Sequence, residues 1–256
     1  MGKREVKDVA IDADHILYNI ASEPSKAFTS SLAGKSLKVT DGKAEMKKLK
    51  DAFKDNVNEY RKLAEVESIA HNYTLGKTIV VIGDASNFRY DIYPEYKANR
   101  KGRPMTEQFK KLRKWARKKY APNENIEADD KVAYLVSKGA IGFSGDKDLL
   151  KGVAGTWFDC YRTRRHWVYT SKADANRFNL LQYVMGDLDD NIRGIEGVGE
   201  KIAIKLLDAN GWDWTGVIIS YHEKGYTQKD AILTRRLISM NQWSPKKGLR
   251  LFGDNL

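Results

Sequence analysis

The chain has 256 residues, with 45 Lys and Arg against 34 Asp and Glu, a formal net charge of +11 and one cysteine. That length suits one well-buried domain with a small second layer and argues against two independent enzymes. The charge favours a polyanionic partner such as nucleic acid over an acidic lipid surface. No apolar run approaches the ~20 residues that span a bilayer, and carboxylates stand early in MGKREVKDVAIDAD, where a signal peptide would be apolar. Cys160 has no partner for a disulfide, so the expectation is a soluble cytoplasmic protein, a monomer, with no membrane partner and Cys160 buried in a strand.

In chain order, short β-branched runs at Val9 to Ile11, Thr78 to Ile82 and Ala140 to Ser144 alternate with long helical stretches. This is the pattern of an α/β fold with a mostly parallel central sheet flanked by helices. The segment from Ser22 to Gly42 is polar and glycine-punctuated and reads as a loop. Met46, Leu49, Phe53, Val57, Tyr60 and Ala64 recur at intervals of three and four, which predicts a long scaffold helix. Thr156 to Tyr161 and His166 to Thr170 predict a hairpin that closes the sheet. From Leu180 onward, helical patterning broken by glycines predicts an all-helical layer.

The residues that carry chemistry are acids placed where strands end: Asp12 in VAIDAD, Asp84 in VVIGDAS, and Asp146 with Asp148 in GFSGDKDLL. The carboxyl edge of an open α/β sheet is where ligands bind, so three strands aim carboxylates at one place. Glu127, Asp129 and Asp130 in NIEADDKV, and Asp187, Asp189 and Asp190 in MGDLDDNIRG, join them. Glu127 and Asp130 share a helix face and are expected to approach one ion, with Asp129 nearby. Acids in a first turn also have a structural explanation in the helix dipole. Convergence outweighs it, because so many carboxylates at one edge repel each other unless cations neutralise them. A donor set of oxygens, without cysteine and with the four histidines scattered, selects hard ions, Mg²⁺ or Mn²⁺, over zinc. Paired hard ions beside a phosphate suit phosphodiester hydrolysis.

From Ser86 to Lys119 the chain carries twelve Lys or Arg, among them Arg103, Lys110 and Lys114, against three acids. Tyr90, Tyr93, Tyr96, Phe109 and Trp115 are interleaved, as in surfaces where cations hold a phosphate backbone and rings stack on bases. In GIEGVGEKIAIKLL, Gly194, Gly197 and Gly199 precede a helix bearing Lys201 and Lys205. Such a turn admits phosphates to backbone N–H groups at a helix N-terminus, as in a helix-hairpin-helix; a tight turn between two core helices is the structural alternative.

Taken together, VAIDAD, GDASNFRYDIYPEYKANR, EADD, GDKDLL and MGDLDDNIRGIEGVGEKIA resemble, in order, the phage and bacterial 5′ nuclease family, which includes flap endonucleases and the 5′ nuclease domains of DNA polymerases. The match runs from about Val9 to Leu207. The resemblance implies a nuclease core over 1–182 with a basic helical arch at about 86–119, and a helical DNA-binding region over 183–256 with a helix-hairpin-helix at about 192–207. It implies that Lys97 and Arg100 contact the scissile phosphate, that Tyr96 stacks nearby, and that Asp12, Asp84, Glu127, Asp129, Asp130, Asp146, Asp148, Asp187 and Asp190 hold two metal ions. Glu127, Asp129 and Asp130 fall mainly to one ion, Asp187 and Asp190 to the other, with Asp146 and Asp148 near both. It further implies a potassium ion on backbone carbonyls of the glycine hairpin.

The expected substrate is DNA with 5′ ends, flaps or junctions. RNA primers and RNA–DNA hybrids, attendant replication proteins, the balance of exonuclease and endonuclease action, and the roles of Asp14 and Asp189 stay open in the sequence. A PIN-like RNase shares the acidic sheet edge without needing the glycine hairpin. A non-catalytic junction-binding protein has no use for so much negative charge facing phosphate.

Overall fold

The computed structural model describes residues 4–21, 42–100, 102, 106–121, 123–161 and 163–254. Nearly all of the loop expected between Ser22 and Gly42, and Arg103, lie outside them. β1 (Val6–Asp12) sits between β2 (Thr74–Val81) and β3 (Ile141–Ser144), and β4 (Gly155–Asp159) follows β3, all parallel. β5 (His166–Thr170) closes the sheet antiparallel to β4, as the hairpin pattern predicts.

The two-residue period of β1 explains the layering. Val9 and Ile11 enter a core with Phe53, Tyr60, Leu112 and Phe143, whereas Ala10 enters a second core with Val81, Val132 and Trp157. Covered on both faces, the strand reads as an unbroken apolar run. On the first side lie α1 (Asp14–Ala21), the long α2 (Gly42–Ala70) and, after the short α3 (Phe88–Ile92) and a 3₁₀ turn (Ala98–Arg100), α4 (Glu107–Tyr120). α5 (Ala128–Ser137) packs on the other side. α6 (Lys147–Gly152) follows β3, and α7 (Lys172–Met185) follows β5.

α7 runs unbroken through the expected boundary at 182/183. Its Leu180, Leu181, Tyr183 and Val184 join a core with the C-terminal helices, α8 (Glu200–Asn210), α9 (Trp214–Glu223) and α10 (Gln228–Ile238). The layer is not all-helical: β6 (Gly186–Asp187) pairs with β7 (Ile192–Arg193), and β8 (Trp243–Ser244) with β9 (Gly248–Leu249). Two-residue strands carry no periodicity, which is why the pattern conceals them.

Candidate active site

The carboxyl edge of the sheet builds the site. β1 ends in Asp12, 4% exposed, and the hydroxyl of Ser144 at the end of β3 donates to its Oδ2 at 2.8 Å. The same hydroxyl accepts the Asp146 N–H at 3.0 Å, so one serine ties the carboxylate of one strand to the loop after another. Asp146 caps α6 by accepting the Asp148 N–H at 2.7 Å, and Asp148 accepts from Gln182 of α7 at 3.0 Å. Across from them, Glu127 stands at the N-cap of α5, and the tight β6–β7 connection presents Asp187 and Asp190. Glu127, Asp129, Asp146, Asp148, Asp187 and Asp190 line one cavity of about 260 Å³, together with Tyr96.

Lys97 and Arg100 meet Glu127 and Asp190 directly. Lys97 Nζ lies 2.6 Å from Glu127 and 3.5 Å from Asp190, while Arg100 pairs with Asp190 and donates to the Asp189 carbonyl at 3.1 Å. Lys97 is held in the left-handed region, φ +53°, a strained backbone for a side chain that must reach this position. The electrostatics split accordingly. Burial works to raise the Glu127 carboxyl, but Lys97 and Arg89 outweigh it and hold it down to about 2. Burial, aided by Asp146 and Asp187, pushes Asp148 up to about 8. Burial, with Asp12 and Asp190, pushes Asp146 up to about 6, and burial with Asp12 and Asp146 raises Asp129 well above the ordinary range.

Several sequence-predicted residues are placed elsewhere. Asp130 is fully buried, and its carboxylate takes both arms of the Arg89 guanidinium at 2.7 and 2.8 Å and caps the Glu127 N–H at 3.1 Å. The shared helix face therefore serves a capping box, and it is Asp129 that enters the cavity with Glu127. Asp84 does not line the cavity: its carboxylate accepts the N–H groups of Asn123, Glu124 and Ile126 and so fixes the loop before α5. Tyr96, 1% exposed, is no stacking surface; its hydroxyl lies 2.8 Å from Glu127 and 2.9 Å from Asp190, with its one proton to offer between the two carboxylates. Phe109 and Trp115 pack into the core beside Leu112 and Ala116, which docks α4 onto α1 and α2; Lys110 and Lys114 face outward. Gly194 is packed so closely on Met185 and Gly186 that a Cβ would lie 2.2 Å from backbone, making it a packing residue. Gly197 (φ +72°), Gly199, Lys201 and Lys205 remain exposed at the start of α8. Asp14 accepts the Gly83 N–H at 2.9 Å and secures the turn after β2, and Asp189 pairs with Lys147 at 3.1 Å.

Sequence reasoning missed Ser144, Arg89 and Gln182. Ser144 could have been found, since a hydroxyl two residues before Asp146 at a strand end is well placed to hold neighbouring carboxylates. The partners of Arg89 and Gln182, 41 and 34 residues away, leave no local signal.

The donor set is all oxygen, and none of the four histidines lines the cavity, which fits hard divalent ions. The raised carboxyls of Asp129, Asp146 and Asp148 are crowded acids that a bound cation would relieve. Among the described residues, no three acidic, histidine or cysteine groups stand ready to share one ion. Glu127 and Asp190 are turned instead onto Tyr96 and Lys97.

Comparison with known proteins places the chain in a family. The family model described as the 5′-3′ exonuclease N-terminal resolvase-like domain matches residues 45–179. The flap endonuclease of Escherichia phage T5 is 32% identical over 177 residues, covering 57% of this chain and 60% of that protein. DNA polymerase I of Bacillus caldotenax is 32% identical over 191 residues, 62% of this chain and 22% of the polymerase. The chain thus spans three-fifths or less of the length of these two relatives. In fold, it is similar to the phage T5 flap endonuclease solved with DNA and metal ions, with a TM-score of 0.63 at 21% identity over 93% of this chain and 90% of that one. Strand ends, cavity and sequence match converge on one conclusion: the chain belongs to the 5′-3′ exonuclease family defined by the N-terminal resolvase-like domain.

Proposed function

We propose that this protein hydrolyses phosphodiester bonds of DNA at 5′ ends and flap junctions, using hard divalent ions such as Mg²⁺ or Mn²⁺. The observation that carries this reading is the gathering of six carboxylates in one cavity, with Lys97 and Arg100 at its edge. Asp12, Glu127, Asp129, Asp146, Asp148, Asp187 and Asp190 would hold the ions. Bound there, such ions supply an activated water and neutralise the leaving oxygen in an in-line displacement. The protein's own part is electrostatic and positional. Lys97 and Arg100, which pair with Glu127 and Asp190, would stabilise the charge that develops on the phosphoryl oxygens. Water attacks phosphorus, the bond to the 3′ oxygen breaks, and a 5′-phosphate and a 3′-hydroxyl remain. Gly197, the exposed N-cap Gly199, Lys201 and Lys205 hold duplex phosphates without reading bases, so affinity falls steeply with salt.

The test is cleavage of a 5′-labelled flap duplex, its blunt counterpart and an RNA version of the flap, in Mg²⁺ and in chelator. Short 5′ products from DNA, dependent on the ion, are expected. Cleavage confined to the RNA strand would replace this reading by an RNase; binding of the junction without any cleavage would replace it by a non-catalytic module.

Ser144 offers a second check. Groups that orient metal-binding carboxylates typically matter by about 10- to 100-fold in ion affinity or activity. Ser144→Ala should raise the Mg²⁺ concentration for half-maximal cleavage to that extent, and Ser144→Thr should recover much of it. An unchanged Mg²⁺ titration in Ser144→Ala would mean that Asp12 keeps its place without the hydroxyl.

A further inference from the structure

The connection between Asp187 and Asp190 carries an apolar side chain that the proposed chemistry leaves unused. Leu188 is 83% exposed, although Asp187 before it and Asp190 two residues after it line the cavity. A single exposed leucine on a mobile surface asks for no explanation. This one stands on a turn fixed from all sides. Its carbonyl accepts from Asn99 at 2.9 Å and from the Asn191 N–H at 3.2 Å. Asp189 N–H is held by Asp187 at 2.9 Å, and the Asp189 carbonyl by Arg100 at 3.1 Å. Asn191, at φ +57°, and the Lys97 N–H bonded to the Asp190 carbonyl at 2.8 Å close the turn. An apolar group is therefore presented to solvent in a set position, beside Arg100 and one residue from the carboxylates.

We infer that Leu188 is the apolar contact for the nucleobase next to the scissile phosphate and sets where the strand is cut, an inference that rests on the function proposed above. A strand whose phosphate reaches Arg100 passes beside residues 188 and 189, because Arg100 is itself bonded to the Asp189 carbonyl. The carbonyls of Leu188 and Asp189 and the Asp189 N–H are engaged with protein, so the apolar group the turn offers an incoming base is the leucine side chain. A base presents a flat apolar face whatever its identity, so this contact fixes register without reading sequence.

The experiment uses the full chain, a 5′-flap duplex, and the same duplex with 2-aminopurine beside the scissile phosphate, read in Ca²⁺ to limit turnover. Wild type, Leu188→Ser and Leu188→Phe are compared. As an exposed position, 188 tolerates both changes without loss of folding. Leu188→Ser is expected to raise KM about five- to tenfold with a smaller change in kcat, to spread the cut over neighbouring positions, and to lose most of the 2-aminopurine response. Leu188→Phe is expected to keep the cut position and the response. A serine variant that matches a wild type able to cut overturns this inference alone, as does a phenylalanine variant as impaired as the serine one. A wild type that neither binds nor cuts the flap overturns both this inference and the function beneath it.

Discussion

Replacing Arg89 with Met is expected to lower the melting temperature by on the order of 10 °C. The guanidinium is 2% exposed, holds both oxygens of Asp130, and donates to the carbonyls of Leu237 at 2.7 Å and Ser239 at 3.2 Å. Removing one member of a buried ion pair strands the other charge, at a cost of about 3–5 kcal/mol. For a chain of this size each kcal/mol corresponds to about 2–4 °C. Asp130→Leu alone should be comparably damaging, since it strands the cation. The double variant Arg89→Met/Asp130→Leu should recover more than half of the loss, because two apolar side chains of similar bulk leave no buried charge. Asp129→Asn, one residue away but in the cavity, should not lower the melting temperature in chelator at all. Thermal melts of the four variants decide the matter: single variants within about 2 °C of wild type would mean that Asp130 is not the structural acid its geometry implies.

The double variant Asp146→Asn/Asp148→Asn is expected to lose cleavage by about 10³-fold or more while melting higher than wild type in chelator at pH 8. Both effects have one origin. The folded carboxyls titrate at about 6 and about 8, against 3.8 for an ordinary Asp, so the folded state keeps protons that the unfolded chain gives up. Stability therefore falls as pH rises from about 4 through about 8, and the loss is complete only above the higher value. Asparagine cannot ionise, and at 146 it can still cap α6. Without divalent ion, the wild type should melt progressively lower between pH 5 and pH 8, and the variant should show a flatter profile. Adding Mg²⁺ at pH 8 should restore the wild type and leave the variant unmoved. A wild-type melting profile in chelator that is flat or rising over that range would remove the basis for reading these acids as a crowded ion site.

What the sequence makes legible follows from how locally each feature is encoded. The parallel strands announce themselves through β-branched runs buried on both faces, and the carboxyl edge follows from the topology they imply, so Asp12, Asp146 and Asp148 could be placed together before any coordinates. The helix-face argument at 127–130 fails for a physical reason. Spacing says which side chains are neighbours, but not which direction the helix presents to the cleft, and that was decided by an arginine 41 residues away. Asp84 misleads similarly, because an acid at a strand end serves equally well to gather the N–H groups of a nearby loop. The aromatics of α4 were indistinguishable from a stacking surface, since periodicity marks a face as apolar without saying whether protein or ligand covers it. Tyr96 shows the same ambiguity at a single residue: its ring is buried, and its working atom is the hydroxyl.

The contacts of Arg89 have a consequence for how the molecule comes into being. A ribosome delivers the sheet, the acidic helix and the turn at Asp187 well before it delivers residues 237 and 239, yet the guanidinium that steadies α5 is completed only by those two carbonyls. A polypeptide that ends after Asp190 and before Leu237 carries every acid of the cleft and lacks the last support for the helix that aims two of them.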